Sequence, residues 1–557
     1  MTPQTISTTA APAPFALADP ADEALFWQHD AMHFPDPLAP MESAMLEHTL
    51  GQGFGHGAAT YNAPIARVEV RTVDGYQYQS MVPMTGTADE MAAQGALAEA
   101  SIRAALGDLG GLWRDSVLPE VREHLGFWES FDLEGATRAA FAAHVEQTWA
   151  HLLGLWELHF VVVLPTYLAM SEFDELYRGL FEDAGPLDSD RLLEGQSNLT
   201  VEVGQALWEL SRTALESDEV RDVLVSRPAH EVPAALYGSR AGRRFLAELE
   251  AYLDRYGRRA DTWTILAPSW TEDPTPAIES LRDFVGRPDG EAPAVTTQSA
   301  AAAREQAVAE ARERLHDYPA PVVGQFEAML AAAQAALVIS EDHNFWIDNM
   351  SIHHLRTVLL EAGRRLVADG AIATVDDVFM LDPEELAGAL VAPGEDMRPT
   401  VSARVAEMER QRALVPPPVL GTIPTQPPPD DPFTRLAMKF NGVPQAPGAE
   451  GELRGSPGSA GTVRGRARVI HSISEAGRIE PGDILVAETT APPWTPLFAI
   501  VGAVVTDTGG VLSHCAVVAR EYGIPAVAGT AMASTVITGT DGQLLEIDGD
   551  AGIVRFI

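Results

Sequence analysis

The stretch AIVGAVVTDTGGVLSHCAVVAREYGIPAVAG, Ala499–Gly529, decides how the C-terminal part of the chain folds. Its apolar run Ala503–Thr506 reads as a buried strand, Gly509-Gly510 as a sharp turn, and the residues from Leu512 or Ser513 to Glu521 as a helix. Glycine lets the backbone turn tightly and lets a ligand approach. The free N–H groups of a helix start hold anions. His514 falls in that first turn, where an imidazole can attack phosphorus and store the group as a labile phosphoramidate. Arg520, six residues on, is the expected partner for charge on that group. Cys515 has no paired base in view and reads as helix packing.

Around this stretch, from about Leu453, short β-branched runs alternate with glycine turns: GTVRGRARVI, GDILVAE, IVGAVVTD, GIPAVAG and GQLLEIDG. A single helical stretch interrupts them, so residues 453–557 are expected to form a compact α/β domain. Upstream, VPPPVLGTIPTQPPPDDP, Val415–Pro432, carries too much proline for a helix or central strand. It predicts an extended, semi-rigid spacer within a linker spanning 413–452. Residues 21–412 show mostly helical periodicity, as in TRAAFAAHVEQTWAHLLGLWELHFVVVL and Ser299–Leu315. One hairpin signal, IARVEVRTVDGYQYQSMVP, turns at Asp74-Gly75. Residues 1–20 read as a loose tail. The fold class expected is α+β and multidomain, a large mainly helical domain followed by a small α/β one.

At 557 residues, 46% hydrophobic and 21% charged, the composition is that of a globular protein with several domains. There is no apolar run of about 18 residues and no basic-then-apolar leader, so neither a membrane span nor a secretory signal is expected, and a cytoplasmic location is. A single cysteine excludes disulfides within the chain and cysteine cages, and no metal site is expected. The net charge of −41 argues against nucleic acid. Lys439 is the one lysine among 38 basic residues, so no Walker-type phosphate loop exists. Phosphate contacts must come from arginines, backbone N–H groups or helix starts.

The run Thr508-Gly509-Gly510, Ser513-His514, Ala519-Arg520-Glu521 and Gly523-Ile524-Pro525-Ala526 resembles the phosphohistidine swivelling domain of the phosphoenolpyruvate synthase and pyruvate phosphate dikinase family. So do Gly482–Val486, Thr489-Thr490 with Pro492, Pro493, Trp494 and Thr495, and the opening Gly455–Gly461. The resemblance implies that His514 is phosphorylated, with Thr508, Gly509, Gly510, Ser513 and Arg520 around the phosphate. More loosely, Phe26-Trp27 through Leu38, Tyr256–Arg259 followed by Pro268–Pro274, and Gly363–Leu366 leading to Asp376–Leu386 look like substrate domains of such phosphotransferases. Arg258 stands where the family more often shows histidine.

No ATP-grasp module is recognisable. The arrangement resembles the substrate-plus-histidine subunit of phenylphosphate synthase and 4-cresol-phosphorylating enzymes, or rifampin phosphotransferase without its ATP-grasp domain. That likeness implies a separate ATP-grasp partner that binds ATP and Mg²⁺, and transfer from His514 to the hydroxyl of a small aromatic alcohol. An antibiotic or natural-product phosphotransferase, and a non-catalytic phosphocarrier, are the alternatives.

An aromatic alcohol needs a base for its proton. EDHNFWIDNMSIHHLR, Glu341–Arg356, offers His343, Trp346, Met350 and His354 on one helical face, and Asn349, His353 and Arg356 on the next. Trp156 and His159 form a second candidate wall. His29-Asp30-Ala31-Met32-His33 imitates a zinc-peptidase motif, with aspartate where the general base should stand and no third ligand in view. Asp188 and Asp190 read as solvated surface.

Overall fold

The computed structural model describes residues 14–260, 262–424, 432–441, 451–471, 473–490, 494–537 and 542–557. Much of the proline-rich linker, together with Pro492 and Pro493, lies outside them.

The N-terminal sheet has the order β2-β3-β1-β4, from β1 (Phe26–His29), β2 (Ile65–Val73), β3 (Tyr76–Pro83) and β4 (Val419–Gly421). The β2–β3 hairpin turns at Asp74 and Gly75, both at positive φ, as expected for a two-residue turn. The edge strand β4 comes from the expected spacer. It pairs with β1, and Tyr78 donates its hydroxyl hydrogen to Pro417 O at 2.8 Å. The beginning of that spacer is therefore bound to the helical domain. Residues 14–20, expected as tail, also pack here: Phe15 N donates to Asp74 Oδ2 at 2.6 Å, and its ring meets Tyr76.

The helices that frame the core are α1 (Pro40–Thr60), α2 (Arg138–Leu180), α3 (Leu199–Leu215), α4 (Ala320–His343) and α5 (Met350–Ala368). Thr137 and Asn198 cap α2 and α3 through their side chains. Two helical stretches, Arg138–Leu180 and Ala320–Ala368, are long and apolar enough to cross a membrane. In this fold Phe141, Leu152, Leu168, Phe173 and Phe326 from them are fully buried in the protein core.

Gly53 and Gly57 let α1 lie directly against α2. A Cβ at Gly53 would meet Trp156 O at 2.7 Å, and one at Gly57 would meet Phe160 Cβ at 2.7 Å. Between α4 and α5 the helix takes a π-turn, Asn344–Asn349.

A short helix α6 (Pro432–Asn441) leads to the C-terminal domain, where the strands among the described residues run in the order β5-β12-β11-β7-β8-β9-β10-β6. These are β5 (Glu452–Arg454), β6 (Ser456–Ser459), β7 (Thr462–Val469), β8 (Ile484–Ala487), β9 (Ala503–Thr506), β10 (Ala526–Ala528), β11 (Leu544–Asp548) and β12 (Ile553–Phe556). The pairs β7–β8, β8–β9 and β9–β10 are parallel. Alternation splits the strand residues: Leu485 and Val504 face one core, Ile484 and Val505 the other. Helix α7 (His514–Tyr522) crosses from β9 to β10. Short helices also form at Thr495–Phe498 and Ala533–Ile537, beyond the single one expected.

Candidate active site

Ser513 occupies the N-cap of α7 in extended conformation, after Gly509 at φ +95°. The first intrahelical acceptor taken is Ser513 O, by Val517 N at 3.0 Å. The N–H groups of His514, Cys515 and Ala516 therefore have no acceptor within the helix. This is the helix start at which the sequence reading expects an anion. Thr508 and Ser513 use their hydroxyls on Glu488 O and Gly510 O, which fixes the loop.

His514 Nδ1 shares a 3.1 Å hydrogen bond with Thr490 Oγ1, and Nε2 lies 3.5 Å from Thr495 Oγ1. Burial, then the nearby Arg259 charge, push its pKa down to about 3. The ring is neutral at physiological pH, the form that can act as a nucleophile. Arg259 is held by its own segment, with Trp270 N donating to Arg259 O at 2.9 Å and the guanidinium over the Trp270 ring. Cys515 has its thiol pushed up to about 12 by burial and is inert as a nucleophile.

Arg520 does not face the cradle. Its Nε donates to Gly458 O at 2.8 Å, Nη2 donates to Val511 O, and Nη1 pairs with Asp190 Oδ1 at 3.3 Å. The sequence suggests a phosphate ligand, and the structure gives a brace between domains. Asp190, read as solvated, is the other half of that brace.

His514 lies in the wall of a cavity of about 280 Å³. The aromatic lining is Phe34, Phe54, Trp156, Phe160, Trp263 and Phe433; the polar lining includes Asp30, His33, His159, Tyr167, Glu341, His343, Asn344 and Asp348. None of the described lining residues is lysine or arginine.

Trp156 and His159 from α2 therefore meet His343 from α4 and Asp348 from the π-turn. His159 Nδ1 and Asp348 Oδ1 are 2.7 Å apart, so Nδ1–H donates to the carboxylate, and Nε2 is the nitrogen that carries the lone pair in the neutral ring. His343 Nδ1 donates to Ile339 O at 2.8 Å, leaving its Nε2 as lone-pair nitrogen 3.9 Å from Asp348 Oδ2. Burial lowers the His343 pKa to about 4, against the pull of Asp348, and keeps it neutral. These three residues offer ligand atoms within 4.8 Å of one another, a grouping that the sequence did not announce. The 2.7 Å His159–Asp348 contact is a hydrogen bond, and the group as it stands is an imidazole–carboxylate dyad beside a second imidazole.

The remaining candidates on the 341–356 segment point elsewhere. Trp346 stacks under Arg122, and Met350 is buried in the core. Asn349 donates to Asn344 Oδ1 at 2.7 Å, one layer behind the cavity. His354 lies flat on Trp128, with ring centroids 5.4 Å apart. His353 Nδ1 is 3.2 Å from Ser269 Oγ, and Arg356 binds the Glu272 carboxylate and Ile265 O. These last two order the Pro268–Pro274 loop rather than the cavity. The cause is the π-turn: one extra residue per turn rotates everything after it off the 3.6-residue register.

The sequence reading missed Asp30 and His33 as site residues. His33 Nδ1 is 2.9 Å from both Asp30 oxygens. Burial opposes a charged His33, but the Asp30 carboxylate outweighs it and raises the imidazole pKa. The i, i+3 pairing of aspartate and histidine was the available signal, taken instead for a broken zinc motif.

Residues 159–341 match the family described as rifampicin phosphotransferase fourth domain, and residues 479–552 match the PEP-utilising enzyme mobile domain. The chain is 38% identical over 561 residues to chondramide synthase of Chondromyces crocatus, covering 98% of this chain and 14% of that protein. It is 32% identical over 371 residues to rifampicin phosphotransferase of Streptomyces sviceus, covering 66% of this chain and 40% of the relative. It is 27% identical over 389 residues to the prodigiosin synthesizing transferase of Serratia marcescens, 67% of this chain and 42% of the relative. The chain thus spans less than half the length of each of these three. The His514 helix start lies within the mobile-domain match, and His159, Phe160, Trp263 and Glu341 of the cavity lining lie within the other, so both parts of the site are similar to PEP-utilising phosphotransferases.

Proposed function

We propose that the chain carries a phosphoryl group on His514 and passes it to the hydroxyl of a small aromatic acceptor in the cavity. The observation that carries this reading is that the neutral His514 and the His159–Asp348 dyad line one aromatic cavity. The acceptor oxygen attacks phosphorus, its P–O bond forming as the P–N bond to His514 breaks. The hydroxyl proton passes to His159 Nε2, and Asp348 stabilises the imidazolium that results. With Nδ1–H of His514 held against Thr490, the departing ring is a neutral imidazole. The α7 N–H groups and the Arg259 charge offset the phosphoryl charge.

The phosphoryl group comes from ATP, with Mg²⁺, at an ATP-grasp module acting in trans to residues 14–557. The cavity supports that division, because a lining without lysine or arginine does not suit a triphosphate. A natural-product alcohol is a second reading of the acceptor, favoured by relatives named for rifampicin, chondramide and prodigiosin. A deep aromatic cavity beside His514 favours catalysis over a phosphocarrier role.

Potassium phosphoramidate, a small-molecule donor to histidine, tests the carrier step directly. Acid-labile phosphate is expected on the parent protein and absent from His514→Ala. Chasing the phosphorylated protein with phenol, 4-cresol and larger aromatic alcohols should release an aryl or alkyl phosphate. An Ala variant labelled as well as the parent overturns the reading.

A further inference from the structure

Helix α6, Pro432–Asn441, sits where the two domains meet, and its side chains divide by face. Arg435 and Lys439, one turn apart, point to α2. Arg435 Nε is 3.0 Å from Glu175 Oε1, and Lys439 Nζ donates to Ser171 O at 3.0 Å and to Asp174 Oδ2 at 3.2 Å. Phe433 and Leu436, on the neighbouring face, line the cavity. At its end, Lys439 O accepts from Leu512 N at 3.3 Å, two residues before His514. One short helix therefore contacts the wall that carries Trp156, the loop that carries the nucleophile, and the space between them.

We infer that α6 is part of the acceptor site, and that Phe433 and Leu436 set the size of the acceptor the cavity takes. Part of the rest of the lining belongs to long helices braced on several sides: Trp156 and Phe160 are pinned by the glycines of α1. Helix α6 has ten residues and is tied by ion pairs to α2 and by the Leu512 contact. Changing the volume of its two apolar side chains therefore resizes the cavity without disturbing the dyad or the cradle. The ion pairs hold this wall at its depth. An apolar pocket of this kind discriminates by fit, with each added or missing carbon group worth about 10-fold or more.

The inference rests on the reading that the cavity receives the acceptor, and two probes separate the two. Phenol and the fluorescent, larger 2-naphthol are titrated into the full chain, phenol by displacement of 2-naphthol. Phe433→Ala should shift the ratio of the two affinities about 10-fold toward 2-naphthol, and Leu436→Trp should shift it about 10-fold toward phenol. Lys439→Met should weaken both probes and leave their ratio unchanged. Trp156→Ala, on α2, is the control for the cavity itself. If Trp156→Ala weakens binding while neither α6 substitution alters the ratio, α6 is not a selectivity wall and the inference falls alone. If none of the substitutions changes either affinity, the aromatics bind elsewhere, and the inference falls together with the reading it rests on. Circular dichroism melts of each variant establish that the protein titrated is folded.

Discussion

Arg520 of the C-terminal domain reaches Asp190 of the helical domain, Nη1 to Oδ1 at 3.3 Å, with the guanidinium only 7% exposed. The same guanidinium also binds Gly458 O and Val511 O within its own domain. It thus couples the loop ahead of His514 to the position of the whole domain. Removing one partner of a buried pair leaves an uncompensated charge and costs about 3–5 kcal/mol. Asp190→Asn keeps the shape and removes the charge. It should leave phosphoramidate labelling of His514 intact and slow the chase to an acceptor by at least about 10-fold. Equal chase rates would show that this brace does not control docking.

The dyad predicts a sharper effect. Asp348→Asn deprives His159 of the acceptor that fixes its tautomer, while His343→Ala removes a neutral neighbour. Single-turnover transfer from phosphorylated His514 should fall by about 10²–10⁴-fold in His159→Ala, and strongly in Asp348→Asn. His343→Ala should fall less. A parental rate in His159→Ala removes it as the base.

Docking should be linked to protons through Glu521. Burial, then the Glu341 and Glu194 charges, push the Glu521 pKa up to about 8, and burial first and Asp190 second push Glu194 up to about 7. Both carboxyls are biased toward the protonated form in the docked domain, and an undocked form would return them toward the ordinary carboxyl range. Docking is therefore strongest at acid pH. It weakens as pH rises from the ordinary carboxyl range toward 8, because the undocked form ionises first. Energy transfer between dyes on the two domains should fall across that window. Glu521→Gln should flatten the dependence, and an unchanged slope in that variant would rule out Glu521 as the linked group.

The close approach of α1 and α2 sets a limit on Gly57. A methyl there would meet Phe160 Cβ at 2.7 Å and Phe160 O at 2.8 Å. Overpacking of this sort costs about 1–3 kcal/mol, so Gly57→Ala should lower the thermal midpoint and weaken aromatic binding by displacing Phe160 from the cavity. Gly55→Ala, with nothing within 4 Å, is the control and should leave both unchanged.

What the sequence disclosed follows the range of the forces involved. The strand Ala503–Thr506, the Gly509-Gly510 turn, the start of α7 and the Asp74-Gly75 hairpin are set by neighbours a few residues away, and they were legible. The partners of Arg520 lie at Gly458 and Asp190, contacts that local pattern cannot reveal. On the 341–356 segment the residue types were informative but their directions were not. A 3.6-residue register sent His354 to the cavity with His343, whereas the π-turn sends Asp348 there and leaves His354 against Trp128. Asp30 and His33 were noticed for the wrong chemistry, because a motif template weighed more than the simple pairing of an acid with an imidazole.

The π-turn has a consequence for how this site tolerates change. If the same residues rewound as an unbroken α-helix, with the extra residue of the π-turn taken into the regular spiral, the 350–368 half would rotate against the 320–343 half by about 100°. His353, Arg356 and their grip on the Ser269–Glu272 loop would turn away, and Asp348 would no longer sit opposite His159. Composition would not alter and regular α-helix would increase, yet the cavity would lose its chemistry. At this point in the chain the winding of a single turn is the constraint, and a change that leaves every side chain in place can still dismantle the site.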